Sequence, residues 1–251
     1  MRHVSIYVLT ILFALPIAAC GPQGADARAI VAPAPIEFEG SGYGFATKTP
    51  LPERKPEDSE GLHQVFRLSD NIISGAEPVG EVAFRRLAAM GVKTILSVDG
   101  KTPDAAIARK YGMRYVHVPI QYKGITEDQI LQIAKTFREL EAPFYVHCFH
   151  GKHRGPAAAA IGSVALDGLD RDTAIAEMRQ WCSTAQKYEG LYATVATADI
   201  PTAAETAAFD FDFTSSHRFT GMRDAMITLT RSWDEVKPVS YTHLTLPTKI
   251  V

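Results

Sequence analysis

The sequence has little cysteine, little tryptophan and no excess of charge of either sign. Three cysteines among 251 residues exclude a disulfide-rich scaffold. Lys and Arg number 26 against 28 Asp and Glu, and the net charge of −2 argues against general nucleic-acid binding. Hydrophobic residues make up 46% of the chain, which is enough for a substantial core in one compact domain with extensions.

The N-terminus has an apolar run, but a short one. Residues 4–19 follow the basic start Met1-Arg2-His3 and are too short for a confident membrane span. Small residues precede Cys20, as is typical of a secretory signal peptide over residues 1–19. A cysteine directly after this site resembles the lipobox of bacterial lipoproteins. The resemblance implies lipidation of Cys20, export, and an outer-membrane anchor facing the periplasm; a plain secretory signal with an incidental Cys20 is the alternative.

Composition divides the remaining chain into four parts. Proline, glycine and charge without a sustained period predict a flexible tether from the lipidated Cys20 to residue 58. A catalytic domain is predicted over 59–195 and a helical C-terminal extension over 196–238, with Met226, Leu229 and Trp233 facing inward. Residues 239–251 match the translation of a transposase sequencing adapter and are predicted to be an assembly artefact.

Strands and helices alternate within the predicted domain. Apolar runs indicate strands over 92–98, 115–120 and 144–146, and apolar periodicity indicates helices over 82–90, 103–111, 126–140 and 155–166. Thr126 and Gln129 form a capping-box pattern. The alternation predicts an α/β fold with a central, largely parallel sheet flanked by helices, and a site at the carboxyl ends of the strands.

The most informative stretch is HCFHGKHR, residues 147–154. It places Cys148 and Arg154 six positions apart, between a predicted strand and a helix with Pro156 in its first turn. The unpaired N–H groups and dipole of a helix N-terminus attract an oxyanion and favour a thiolate. Arg154 can clamp two phosphate oxygens while Cys148 attacks phosphorus.

The pattern His-Cys, five residues, Arg resembles the signature of the cysteine-dependent protein tyrosine and dual-specificity phosphatase superfamily. The likeness covers about residues 65–187, because 72–78 and 92–98 also resemble small bacterial members. It implies a phosphotyrosine phosphatase-like single domain without metal or cofactor. In it Cys148 forms a phosphocysteine, Arg154 clamps the phosphate and His147 tunes the thiolate. The loop residues predicted to bind substrate are Phe149, His150, Gly151, Lys152 and His153.

The implied partners are a phosphorylated protein or small phosphate ester and, through the lipid, a membrane. Positive character at His150, Lys152, His153 and Arg154 favours a multiply anionic substrate. The alternative is that the two histidines are ordinary surface residues.

The chain also departs from the family pattern. Gly155 stands where members usually carry Ser or Thr after the arginine, so turnover of the intermediate is expected to be slow. The loop 121–124, where relatives carry an acidic proton donor, has no carboxylate. Asp99, just past a strand end, is the predicted general acid, with a turn-forming role as the alternative. Glu127 and Asp128 are further candidates, although a helix first turn also favours acidic residues.

Two other functions stay open. The departures permit a phosphate-binding pseudoenzyme. The crowding of His147, Cys148, His150 and His153 permits a sulfur-transfer or metal-binding protein, which a loop wrapped round an anion disfavours. In an oxidising compartment Cys148 could pair with Cys182, whose other interpretation is a buried helical thiol.

Overall fold

The computed structural model describes residues 30–243. The predicted signal peptide, Cys20 and residues 244–251 of the predicted artefact lie outside the described residues. Within the described part, no helix combines the length and apolar character needed to cross a membrane.

A five-stranded sheet forms the centre of the domain, with the strand order β1-β2-β5-β3-β4. Only the short β1 is antiparallel to its neighbour. The strands are β1 (Phe66–Arg67), β2 (Ile72–Ala76), β3 (Thr94–Ser97), β4 (Arg114–His117) and β5 (Phe144–Cys148). All five residues of β5 are buried, as expected for the middle strand of a covered parallel sheet. The predicted α/β fold is confirmed.

Helices cover both faces of this sheet. They are α1 (Gly42–Phe45), α2 (Gly80–Ala89), α3 (Ala105–Lys110), α4 (Glu127–Glu139), α5 (Arg154–Gly162), α6 (Arg171–Gln180), α7 (Glu189–Thr197), α8 (Ala203–Ala208) and α9 (Gly221–His243). The predicted capping box of α4 is confirmed, with Thr126 and Gln129 each bonding the other's backbone. Helix α5 ends earlier than predicted, because a π-helical turn over Ser163–Asp167 follows it.

Two apolar clusters fix the sheet between its helices. On one face Phe137, Val146 and Ile161 join α4, β5 and α5. On the other face Phe84 and Leu87 of α2 pack near Tyr145 of β5. Full burial of one such side chain stabilises the fold by roughly 1.5–3 kcal/mol. The middle strand is therefore held from both sides, which makes its carboxyl end a rigid support.

Part of the predicted tether lies against this domain. Ala46 is fully buried, and the amide of Gln180 donates to the carbonyls of Ala46 and Thr49 at 2.8 Å. The indole of Trp181 donates to the Pro52 carbonyl at 2.9 Å. The structure thus differs here from a free tether. Isolated contacts at irregular spacing hold the segment, and such contacts leave no periodic pattern in the sequence.

Helix α9 presents a different face from the one predicted. The inward placement of Met226, Leu229 and Trp233 is wrong, since Met226 is 52% exposed and the other two are each 62% exposed. Ile227 instead lies so close to Gly100 that a β-carbon there would be 2.9 Å from it. The apolar spacing correctly indicates an amphipathic helix but does not indicate which face packs. The packing face carries Ile227 and Arg231, which contact residues at the edge of the sheet.

Candidate active site

Strand β5, the following loop and α5 place Cys148 and Arg154 together as predicted. Cys148 is the last residue of β5 and is only 2% exposed, and Arg154 is the first residue of α5. Gly151 turns the loop with a φ of 67°, and a β-carbon there would lie 2.5 Å from the Ala76 nitrogen. This position therefore requires glycine both for its conformation and for its close approach to β2.

Asp99 joins the two halves of this loop. Its Oδ2 accepts hydrogen bonds from Arg154 Nη2 at 2.6 Å and from the Phe149 backbone nitrogen at 3.1 Å. The Lys101 backbone nitrogen donates to Oδ1 at 2.9 Å. Burial alone would raise the pKa of Asp99, but the charge of Arg154, the Lys101 bond and the charge of Arg231 outweigh it and lower this pKa.

Asp99 therefore lies where it was predicted but is not arranged as a general acid. With a lowered pKa and a paired guanidinium it is ionised at neutral pH and carries no proton to donate. The carboxylate instead orients the fork of Arg154. Correspondingly, the pKa of Arg154 is raised, since the attraction of Asp99 exceeds the opposing effect of burial.

His117 holds the backbone of Asp99 in place, a role that the sequence did not reveal. Its Nδ1 accepts from the His217 backbone nitrogen at 2.9 Å, so Nε2 is the nitrogen that donates to the Asp99 carbonyl at 2.7 Å. Burial lowers the pKa of His117, which favours this neutral form. The C-terminal extension thus reaches the strand ends through His217.

The other candidate acids lie elsewhere. Glu127 and Asp128 are exposed in the first turn of α4, which agrees with the helix-dipole interpretation. Glu127 lines a separate cavity of about 990 Å³ with Thr194. The loop 121–124 is closed by a Gln121–Gly124 bridge and presents Tyr122, whose ring lies 4.3 Å from the Arg154 guanidinium carbon.

His147 is fixed by a buried contact with Tyr115. Its Nε2 and the Tyr115 hydroxyl are 2.5 Å apart. Burial lowers the pKa of His147 to about 4, so the imidazole is neutral at neutral pH. A neutral ring adds no positive charge beside Cys148. Its contribution is to link β5 to β4 directly before Cys148.

The predicted substrate-binding residues divide into two groups. Phe149 and His150 line a cavity of about 250 Å³ with Arg154, Asp99 and Tyr122.

Lys152 and His153 lie outside the lining of this cavity. The Lys152 carbonyl accepts from Thr184 Oγ1 at 2.6 Å, and the His153 ring packs 4.4 Å from the Tyr188 ring. Burial lowers the pKa of His153 to about 4. His153 therefore adds no charge at neutral pH, and the loop is less cationic than its sequence indicates.

Residues of α9 complete the cavity, and sequence reasoning missed them. Arg223, Ile227 and Arg231 line it opposite the loop. Arg231 pairs with Glu77, directly after β2, and its guanidinium carbon lies 4.2 Å from the Phe149 ring. The available signal was a carboxylate after each of the two strands that flank β5, namely Glu77 after β2 and Asp99 after β3. Two carboxylates at one edge of the sheet require cations as partners.

The sequence left open a disulfide between Cys148 and Cys182 and a metal site near Cys148. Cys148 and Cys182 are both free, and burial raises the pKa of Cys182, as expected for a structural thiol. Over residues 30–243 there is no group of three His, Cys, Asp or Glu side chains that could hold a metal ion.

Two curated relatives share part of the sequence, whereas no family model matches it. Both are the dual specificity protein phosphatase TpbA of Pseudomonas aeruginosa. The protein of strain UCBPP-PA14 is 26% identical over 118 residues, which cover 46% of this chain and 53% of the relative. The protein of strain PAO1 is 26% identical over 136 residues, covering 53% and 60%.

Over this matched region the chain is similar in sequence to dual specificity protein phosphatases. The matched region spans only about half to three fifths of the length of the curated relatives. A crystal structure of P. aeruginosa TpbA is 22% identical and covers 61% of this chain and 94% of that chain, with a TM-score of 0.49. The chain carries Cys148 and Arg154 at the spacing of the phosphatase signature, and it departs from that pattern at Gly155 and in the loop 121–124.

Proposed function

We propose that the chain is a phosphate monoester hydrolase of the protein tyrosine and dual-specificity phosphatase type. One observation carries the proposal. Cys148, at the end of the central strand, and Arg154, at the start of α5, are joined through Asp99, which bonds both Arg154 and the backbone of Phe149. This arrangement supports Arg154 as a bidentate phosphate clamp one loop away from Cys148 as the nucleophile.

In the proposed reaction the Cys148 sulfur attacks phosphorus and the ester P–O bond breaks. The leaving oxygen departs with the bonding electrons and takes a proton from solvent. Water then attacks the phosphocysteine, the S–P bond breaks, and inorganic phosphate leaves. Because Asp99 is ionised, activity is expected to be highest on esters whose leaving group needs no proton, such as aryl phosphates.

The proposal is tested with purified residues 21–238 and a panel of phosphate esters, with and without reductant. Cys148→Ser is expected to abolish hydrolysis of an activated aryl phosphate and to leave phosphate binding largely intact. Arg154→Lys is expected to be nearly as damaging, since lysine lacks the bidentate fork. Cys182→Ser, which changes the other buried thiol, is the matched control. Equal activity in the Cys148→Ser variant contradicts the proposal.

A phosphate-binding protein with little turnover is the second candidate, and Gly155 favours it. A β-carbon at this position would lie 3.1 Å from the Cys148 nitrogen, so a serine fits if the loop shifts by a few tenths of an ångström. Gly155→Ser would supply the hydroxyl that helps the thiolate leave. A burst of product followed by slow turnover, with faster turnover in Gly155→Ser, identifies a phosphatase limited at this step; no burst in either protein supports the binding function.

We propose further that the protein is exported and anchored to the outer membrane through a lipid on Cys20. The basic start, the apolar residues 4–19 and the small residues before Cys20 support this. The protein is expected to fractionate with membranes, and Cys20→Ser is expected to release it or to leave an unprocessed precursor. Recovery of a soluble protein that retains its first residues contradicts the anchor.

A further inference from the structure

Arg231 of α9 is held beside the signature loop by three contacts. Its Nη2 donates to Glu77 Oε2, and its guanidinium carbon lies 4.2 Å from the centre of the Phe149 ring. Its Nη1 is 3.8 Å from Asp99 Oδ1, which is too long for a hydrogen bond. The side chain is only 18% exposed. Arg231 is therefore a preorganised cation rather than a mobile surface arginine.

Two buried donors near this cavity have no partner. Arg231 Nη1 and Arg154 Nε are both shielded from solvent, and neither makes a hydrogen bond within the described residues. Both arginines line the same cavity of about 250 Å³. Buried N–H groups of guanidinium are almost always paired in folded proteins, so unpaired ones beside a cavity point to a bound ligand that accepts from them.

The charged side chains around the cavity also favour binding of an anion. Lys101 pairs with Glu77 at 2.8 Å, and Arg154 pairs with Asp99 at 2.6 Å. Glu77 is ionised, because its bonds to Lys101 and Arg231 outweigh the opposing effect of burial and lower its pKa. Arg223 also lines the cavity, so four cations face two carboxylates and the site carries a net positive charge that attracts a phosphate dianion. Arg231 supplies one unit of this excess.

We propose that Arg231 is a second phosphate-binding arginine, with Nη1 donating to an oxygen of the same substrate phosphate that Arg154 clamps. This inference rests on the proposed phosphatase function and adds to it a residue outside the signature motif. Glu77 and the Phe149 ring orient the guanidinium, and the C-terminal extension thereby becomes part of the substrate site.

The test measures the dissociation constant of inorganic phosphate by titration calorimetry on residues 21–238. Arg231→Met is expected to weaken phosphate binding by about 10- to 100-fold, the usual range for a lost charge-assisted hydrogen bond. Arg231→Lys, which keeps the charge but not the fork, is expected to lie in between. Arg218→Met, at an exposed arginine of the same extension, is the matched control and is expected to bind phosphate normally. Thermal unfolding checks that each variant is folded.

A purely anchoring role for Arg231 gives a different result with Glu77→Gln. This variant removes the ion pair that holds α9 but also removes a negative charge beside the cavity. The glutamine amide oxygen can still accept from Arg231 Nη2 and keep the guanidinium oriented. If Arg231 binds phosphate, Glu77→Gln is therefore expected to bind phosphate as tightly as the unchanged protein or more tightly. Weakening equal to that of Arg231→Met overturns the inference, as does unchanged binding in Arg231→Met.

Measurements of phosphate binding and of hydrolysis distinguish a failure of this inference from a failure of the proposed function. Phosphate binding that depends on Arg231 in a protein that hydrolyses nothing supports the inference and contradicts the phosphatase. Hydrolysis that depends on Cys148, together with phosphate binding indifferent to Arg231, contradicts the inference alone.

Discussion

Asp99 shows what a sequence can and cannot reveal about a single residue. Its place at a strand end put it on the correct rim of the sheet, because carboxyl ends of parallel strands share one edge. Its protonation state depends on Arg154 and Arg231, which are distant in sequence and adjacent in space. Position was therefore predictable, but the chemical role was not.

We predict that Asp99→Asn lowers kcat/KM by about 10²-fold or more to a similar extent for good and poor leaving groups. The change removes the partner that orients Arg154, and it removes no proton donor. Rates on a series of aryl phosphates measure this, with exposed Asp70→Asn as the control. A loss that grows with the pKa of the leaving group restores Asp99 as the general acid.

His147 predicts how stability depends on pH. The pKa is about 4 in the folded protein and 6.5 for an ordinary histidine, so the unfolded chain binds a proton that the folded protein does not. The contribution of His147 to the free energy of unfolding should therefore be complete above pH 6.5. It should decrease by about 3 kcal/mol as the pH falls to about 4. Denaturant titrations across this range measure it.

His147→Gln is the comparison, because it removes the titrating ring but keeps a polar side chain. The pH dependence between 4 and 6.5 should be shallower in this variant than in the unchanged protein. Identical pH dependence of the unfolding free energy in both proteins would mean that His147 has the same pKa in the folded and unfolded states.

At the level of elements, local patterns predicted the architecture and missed its details for identifiable reasons. The apolar run of β5 and the capping box of α4 both depend on neighbouring residues, and both were predicted correctly. The π-helical turn after α5 and the packing face of α9 depend on distant partners, such as Gly100 against Ile227. A periodic pattern carries no information about such partners.

The turn between β5 and α5 allows a matched glycine test. Gly151 and Gly112 have φ angles of 67° and 72°, but only at Gly151 does a β-carbon meet other atoms, 2.5 Å from the Ala76 nitrogen. Gly112→Ala should cost roughly 1–2 kcal/mol of stability from its conformation. Gly151→Ala should cost more and abolish activity. Chemical denaturation and aryl phosphate hydrolysis measure both effects, and equal costs contradict the close packing of the loop on β2.

At the scale of the whole molecule, two segments outside the alternating strands and helices pack against the domain. Ile36 and Gly42 bond to α7 and Ala46 bonds to Gln180 of α6. The C-terminal extension reaches the strand ends through His217 and Arg231. Neither segment has the alternation that identified the domain. The signature motif located the loop between β5 and α5, and only the folded chain brings these segments to it.

The central claim is that Cys148 attacks phosphorus and carries the phosphoryl group. The most direct test is a rapid acid quench of the protein with an activated aryl phosphate, followed by mass spectrometry of the peptide that contains Cys148. The account predicts a phosphate adduct on Cys148 within the first turnover and its absence in Cys148→Ser. Hydrolysis that proceeds at the same rate in Cys148→Ser, with no adduct on the unchanged protein, would contradict it.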